Sequence, residues 1–478
     1  MTTERSVSVA DRATPNDAFG ARERVALIVL LTASFTLAVD FSILNVALPR
    51  IGHDVGFSLS NLQWISTAFA VCAAGFTLLF GRFADLFGRR RQFLVGIALL
   101  GVASLVGGVA GQQWLLLLAR VAQGIATAAV TPAALSLLTT SFPEGPRRDR
   151  ALGLNGALMA AGFTTGAILG GLLTDLISWR WAFFVNVIVA VVVLAVGPVV
   201  LSETKAERRP RLDAPGAVTV TLALVAGVFG LTQAAEHSWG DARTWGALLF
   251  ALVMTFVFVA IERTVQEPLV PLAVLGRRTV GWGNFAGVIA FATETSVVFL
   301  LTIYLQNVRG YTPLQTGLTF AVLGAGTVLG GMLAPRIIGR IGGKRAIVYS
   351  LVVQAAATLP LAFLGDSSSS LIVLLVATFV GGVANLVAIV GFMVTATSGL
   401  SDAEQGLATG LATMGQQVGI TLGTPVMSAV ATAAGASAAV GHVLDGVTTA
   451  LAVNAAICLL GAALVMFALP GRRAAATA

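Results

Sequence analysis

What this chain has least of is charge. Only 11% of its 478 residues are Asp, Glu, Lys or Arg, against 56% apolar residues and a mean hydropathy of +0.90. A soluble domain carries roughly 25% charged residues, so a chain this poor in charge has no water-facing surface to offer. Cysteine is scarce as well. Cys72 and Cys458 both fall inside apolar runs, which argues against a disulfide framework and against a thiolate metal site. His53, His237 and His442 all fall between apolar runs, so no HExxH-type metal site lies within them, and no G-x-x-x-x-G-K-[ST] loop is present to hold a nucleotide phosphate. An ATP-driven pump and a metal-dependent membrane enzyme are thereby disfavoured, and no cofactor is expected. A net charge of +7 would point a soluble protein towards nucleic acid, but here the basic residues are spread through short loops, where they act as topology signals.

What is present is a series of long apolar runs. They lie near 25–47, 63–80, 93–110, 115–139, 151–174, 182–201, 214–235, 245–261, 284–306, 316–335, 346–364, 371–395, 406–432 and 449–469. Each approaches the ~20 residues that cross a bilayer as a helix, so the expected fold class is an all-α polytopic membrane protein with fourteen crossings. The first run is longer than a signal-peptide core and reads as an uncleaved helix behind a polar tail over 1–24. With the N-terminus inside, the outer gaps hold only Arg50, Arg180, Arg243 and Arg309; with Arg120 inside a run, 24 of the 29 basic residues fall on the inner side. Both termini are therefore expected in the cytoplasm and the protein in the plasma (inner) membrane. The seven tryptophans, Trp179 among them, sit near run ends as interfacial anchors do.

The runs repeat. Gly81–Arg91 reads GRFADLFGRRR, and 254 residues later Pro335–Arg345 reads PRIIGRIGGKR. The same offset carries Asp40 to Glu294 and Gly56 to Gly310, and an offset of 253 carries Gly153, Gly162, Gly166 and Gly170 to Gly406, Gly415, Gly419 and Gly423. Matched acids, basic turns and glycines indicate two copies of one six-helix bundle. The expected domains are the tail over 1–24, a first bundle over 25–202, a linker over 203–213, two inserted helices and a loop over 214–278, a second bundle over 279–470, and a tail over 471–478.

Asp40, Arg120 and Glu294 are ionisable groups at membrane depth. A charge near the bilayer centre costs at least ~2.5–3.5 kcal/mol on insertion scales, so such groups face a bundle interior or a wet cavity. Helix rise puts Asp40 roughly 10 Å and Arg120 roughly 8 Å from the same membrane face, so the two are expected to pair, as a structural ion pair or as part of a moving site. Glu294 has no basic partner in view, since Arg120 maps onto Leu374 in the second copy. Burial disfavours a charge without a counter-ion, and a lone buried carboxyl therefore exchanges protons readily. Along 406–432 the glycines share one helix face and Thr409, Thr413, Gln417, Thr421 and Thr424 another; the first should pack on a partner helix, the second should line a cavity or bond to neighbouring helices.

The segments LAVDFSILNVALP, GRFADLFGRRR, RVAQG, SWRWAFFVN and YLQNVRGYTPLQTG resemble those of the major facilitator superfamily, in its fourteen-helix drug:proton antiporter group. The resemblance implies the major facilitator fold, two pseudo-symmetric six-helix bundles with two extra central helices, and export of hydrophobic or amphipathic, often cationic drugs by alternating access. It implies the proton gradient as energy source, a monomer in the lipid bilayer, and no nucleic-acid partner. It assigns Asp40, Arg120, Glu294, Asn45, Gln123, Gln417 and Thr413 to the proton-coupling and substrate cavity. Gly81, Arg82, Asp85, Gly88, Arg89 and Arg90 become a cytoplasmic gating loop, and Gly153, Gly162, Gly166, Gly170 and Gly171 the packing face of the antiporter motif. Ala167 stands where that motif usually has proline, and Ile188 replaces a common proline after Asn186. The alternatives are an exporter dedicated to one endogenous metabolite, siderophore or lipid, and a non-transporting membrane sensor or scaffold.

Overall fold

The structure is a computed structural model that describes residues 20–470 apart from 59–60, 143–145, 204–212, 237–238, 267, 366, 399–401 and 437–439. Its helices are α1 (Ala21–Val55), α2 (Trp64–Phe87), α3 (Arg89–Val109), α4 (Gln113–Ser141), α5 (Pro146–Leu176), α6 (Trp181–Val200), α7 (Ala214–Glu236), α8 (Ala242–Thr264), the single turn α9 (Leu272–Leu275), α10 (Arg278–Ile303), α11 (Pro313–Ile341), α12 (Gly343–Thr358), α13 (Ser368–Ala396), α14 (Asp402–Ala431) and α15 (Val440–Ala468). Against the fourteen crossings expected, 12 helices among the described residues are long and apolar enough to cross a membrane; α2 is apolar over the shorter Trp64–Thr77 and α5 is not among the 12. The first run was expected to stop near residue 47, yet α1 continues through Pro49 to Val55, where its last turns are packed: Gly52 meets Leu62, and Asp54 accepts from Trp179. Trp179 is likewise no interfacial anchor: it is 1% exposed and donates from Nε1 to Asp54 Oδ2 at 3.0 Å.

The two basic turns fold alike. Gly88 ends α2 with φ +108° and Gly342 ends α11 with φ +83°, a region that glycine enters without a Cβ clash. Past the first turn, Glu203 accepts from the backbone N–H groups of Arg90 and Arg91, both at 3.1 Å, so its negative charge meets the free N–H groups of the α3 N-terminus. Past the second, Lys344 donates to Leu469 O at 2.5 Å.

Helix pairing also repeats. In the first bundle α1 packs on α5 and α6, α4 on α2 and α3, and α3 on α6; in the second α10 packs on α14 and α15, α13 on α11 and α12, and α12 on α15. The inserted α7 and α8 pack on each other, and α7 also lies against α2 and α14, fastened by Gln63 Nε2 donating to Thr232 Oγ1 at 3.2 Å.

One apolar core joins the bundles at the end remote from the termini. It unites Ile43, Leu48 and Ile51 of α1 with Leu300 and Leu301 of α10, Phe320 of α11 and Leu451 of α15. Towards the termini this core gives way to smaller clusters, of which one, around Val280 and Leu411 with Leu79 of α2 against it, still links the bundles through α7 and α8. One cluster, around Leu30, Phe93 and Leu137, stays within the first bundle, and another, around Ile347, Phe392 and Val465, stays within the second.

Candidate functional site

Asp40 of α1 is fully buried and held by side chains from two other helices. Arg120 of α4 donates from Nη1 to Asp40 Oδ2 at 3.2 Å, Gln123 donates from Nε2 to Asp40 Oδ1 at 3.3 Å, and Asn186 of α6 also donates to Oδ1. Arg120, 1% exposed, also donates from Nε to Ile65 O at 2.8 Å and from Nη1 to Gln123 Oε1 at 2.8 Å. Gln123 also donates to Ser104 Oγ of α3 at 2.8 Å, and the Arg120 guanidinium lies 4.3 Å from the Phe69 ring centroid. The expected pairing of Asp40 with Arg120 is present, inside a network that satisfies both charges.

Glu294, its counterpart on α10, is placed differently. It is half-buried and makes no hydrogen bond or ion pair among the described residues. Residues three and four apart share a helix face, which puts Glu294 on the stripe of Phe291 and Val298. Phe291 packs with Phe41, Phe69 and Ile420, and Val298 lines the seam between bundles beside Ser42 and Phe163. Phe41 stands 6.2 Å from Phe69 and 6.1 Å from Phe163, centroid to centroid. These rings wall Asp40 off from the seam on which Glu294 sits. Beyond them, Ser42, Thr164, Phe320 and Thr327 enclose a cavity of about 10 Å³, far below the ~300 Å³ of a drug-sized site, so these side chains leave no room for a substrate between them.

The other expected site residues divide. Asn45, expected in the cavity, lies five residues from Asp40 on another face of α1; its Oδ1 accepts from Ser66 Oγ at 3.2 Å and ties α1 to α2. Thr413 and Gln417 are half-buried on α14, while Thr421 is buried and donates back to Gln417 O at 2.7 Å. Gly162 and Gly166 pack on α1: a Cβ on them would lie 2.8 Å from Ala38 Cβ and 2.7 Å from Val39 O. Gly170 meets Ile43 of α1 in the same way, whereas Gly171 meets Pro313 of α11 across the seam. Gly415, Gly419 and Gly423 repeat the arrangement on α10. Gly153, Gly406, Thr409 and the side chains of Arg82 and Asp85 lie outside the described residues. In the loop expected to gate, Gly81 lies near Pro132, and Arg90 donates to Pro198 O at 2.6 Å; Arg89 also has a partner. Arg90 is thus turned onto α6.

Asn186, Ser104 and Glu203 carry parts of this architecture that reading the sequence missed. Asn186 could have been found, as a carboxamide inside an apolar run. Among the described residues no cluster of three or more His, Cys, Asp and Glu side chains is arranged to hold a metal.

Comparison with known proteins agrees with this geometry. The sequence profile of the Major Facilitator Superfamily matches residues 30–424 and 283–478. A puromycin resistance protein of Streptomyces alboniger is 36% identical over 94% of this chain and 92% of its own length. A cephamycin export protein of Amycolatopsis lactamdurans is 35% identical over 84% of each. Among solved structures, a D-xylose-proton symporter superposes with a TM-score of 0.65 at 13% identity, over 94% of this chain and 98% of that one.

Proposed function

Because the chain belongs to the Major Facilitator Superfamily, we propose that it is a drug exporter of the plasma membrane that exchanges a proton at Glu294 for a hydrophobic, often cationic substrate. Relatives named for puromycin resistance and cephamycin export support the substrate class. The observation that carries the coupling is the asymmetry of the two matched acids. Asp40 is neutralised by Arg120 and sealed behind Phe41 and Phe69, whereas Glu294 stands at the seam with no counter-ion among the described residues. A carboxylate in such a place is stabilised by a proton or by a substrate cation, and one displaces the other.

With the termini in the cytoplasm, as the basic loops indicate, the shut end is the outer one and the end with the smaller clusters faces the cytoplasm. That is the state in which an exporter loads. The test is a panel of cationic, neutral and anionic compounds on everted vesicles, scored by collapse of a preset pH gradient. Cations should collapse it most. Export without proton movement would overturn the coupling. The cephamycin relative favours a second reading, an exporter of one compound, in which a single member of the panel would respond.

A further inference from the structure

The backbone of α10 at Glu294 is gripped by carboxamides. Asn454 of α15 donates from Nδ2 to the carbonyl oxygen of Thr293 at 3.1 Å, the oxygen of the peptide bond whose nitrogen is that of Glu294. Asn385 of α13 donates to Ala290 O at 2.9 Å, the carbonyl that the Glu294 N–H meets in an α-helix. Gln354 of α12 donates to Thr293 Oγ1 at 3.1 Å and accepts from Asn385 at 3.3 Å. Thr293 completes the set by donating to Ile289 O at 2.7 Å. Gln354, Asn385 and Asn454 are 3%, 1% and 1% exposed.

Helix formation does not require this. Carbonyls within a helix already accept one backbone N–H each. Here Asn385 and Asn454 leave their own Oδ1 atoms without a partner among the described residues. Only an NH₂ group can donate to a carbonyl, so both amides are oriented by what they hold on α10. The first bundle makes a telling contrast. There Asn186 and Gln123 donate to the carboxylate of Asp40 itself. In the second bundle the amides bind the peptide behind the acid, and the carboxyl receives no donor among the described residues.

Building on the reading of Glu294 as the proton site, we propose that Gln354, Asn385 and Asn454 are positioning residues: from three helices they fix the Glu294 peptide so that its carboxyl faces the seam with no hydrogen-bond donor to hold it. Movement of α12, α13 or α15 then changes the surroundings of the carboxyl directly, which links the shape of the second bundle to its proton.

The test is an infrared titration of the purified full-length protein in lipid, following the carboxyl C=O band that Glu294→Gln removes. Asn454→Ala and Gln354→Met should each move the midpoint of that band by more than about half a pH unit. Asn284→Ala, which removes a buried amide that bonds Val280 O on its own helix, should leave it in place. An unmoved midpoint in the first two variants, or an equal shift in the third, overturns the proposal. Should Asn454→Ala fail to fold, the near-isosteric Gln354→Met decides alone. If Glu294→Gln removes no titrating band, the proton-site reading itself falls, a result distinct from an unmoved band.

Discussion

Three side chains donate to the carboxylate of Asp40, so replacing one of its oxygens by an NH₂ group would set donor against donor. Removing one partner of a buried ion pair costs about 3–5 kcal/mol, since the other charge is left uncompensated, whereas removing both costs less. Asp40→Asn and Arg120→Leu should each lower the yield of monodisperse protein more than the double variant does, read by size-exclusion chromatography after heating. Strictly additive losses would mean the two do not act as a pair. Asp40, Arg120 and Gln123 were legible in the sequence because a charge or amide in an apolar run stands out and helix rise gives its depth. Phe41 and Phe69, which decide that Asp40 is walled off, were not: an apolar residue in an apolar run carries no contrast. Gln354, Asn385 and Asn454 are amides inside apolar runs as well, but nothing in the sequence tells which helices they touch, and the reading passed over them.

At the scale of elements, the turns and the end of α10 carry the testable consequences. Gly88 has φ +108°, and a Cβ there would lie 2.6 Å from Glu203 Oε1. Gly88→Ala should therefore destabilise by on the order of 1–3 kcal/mol, seen as a lower midpoint of thermal unfolding. Gly111→Ala, with nothing within 4 Å of the added atom, should be neutral; equal effects would remove the strain account. Beyond α10 the chain takes a π-helical turn over Tyr304–Val308, a form frequent at functional sites. From it Gln306 donates to Val46 O of α1 at 2.7 Å, across the seam at its shut end. A hydrogen bond contributes roughly 0.5–1.5 kcal/mol, so Gln306→Leu should open this end about two- to tenfold more often. A cysteine placed at the buried Ser42 should then react faster with a membrane-impermeant thiol reagent, and an unchanged rate would show that the contact does not hold the gate. The basic turns were readable from their repeated glycine; the π-helical turn over YLQNV was not, because a change of hydrogen-bond register leaves no mark in residue type.

The whole molecule is two like bundles in one asymmetric state. Their repeated pairing was legible, because matched acids, turns and glycines recur at nearly one offset. The state was not, since one sequence serves every conformation of a transporter and only the break-up of the apolar core into smaller clusters at one end distinguishes this one. The account assigns the exchangeable proton to the second bundle and a fixed charge pair to the first. Its most direct test is proton movement by purified protein in liposomes that trap a pH-sensitive dye, with ethidium as the cationic probe and Glu294→Gln beside the unaltered chain. Ethidium should drive proton counter-flow through the unaltered protein and none through Glu294→Gln, with the variant still monodisperse. Proton counter-flow of equal size through Glu294→Gln would contradict the account.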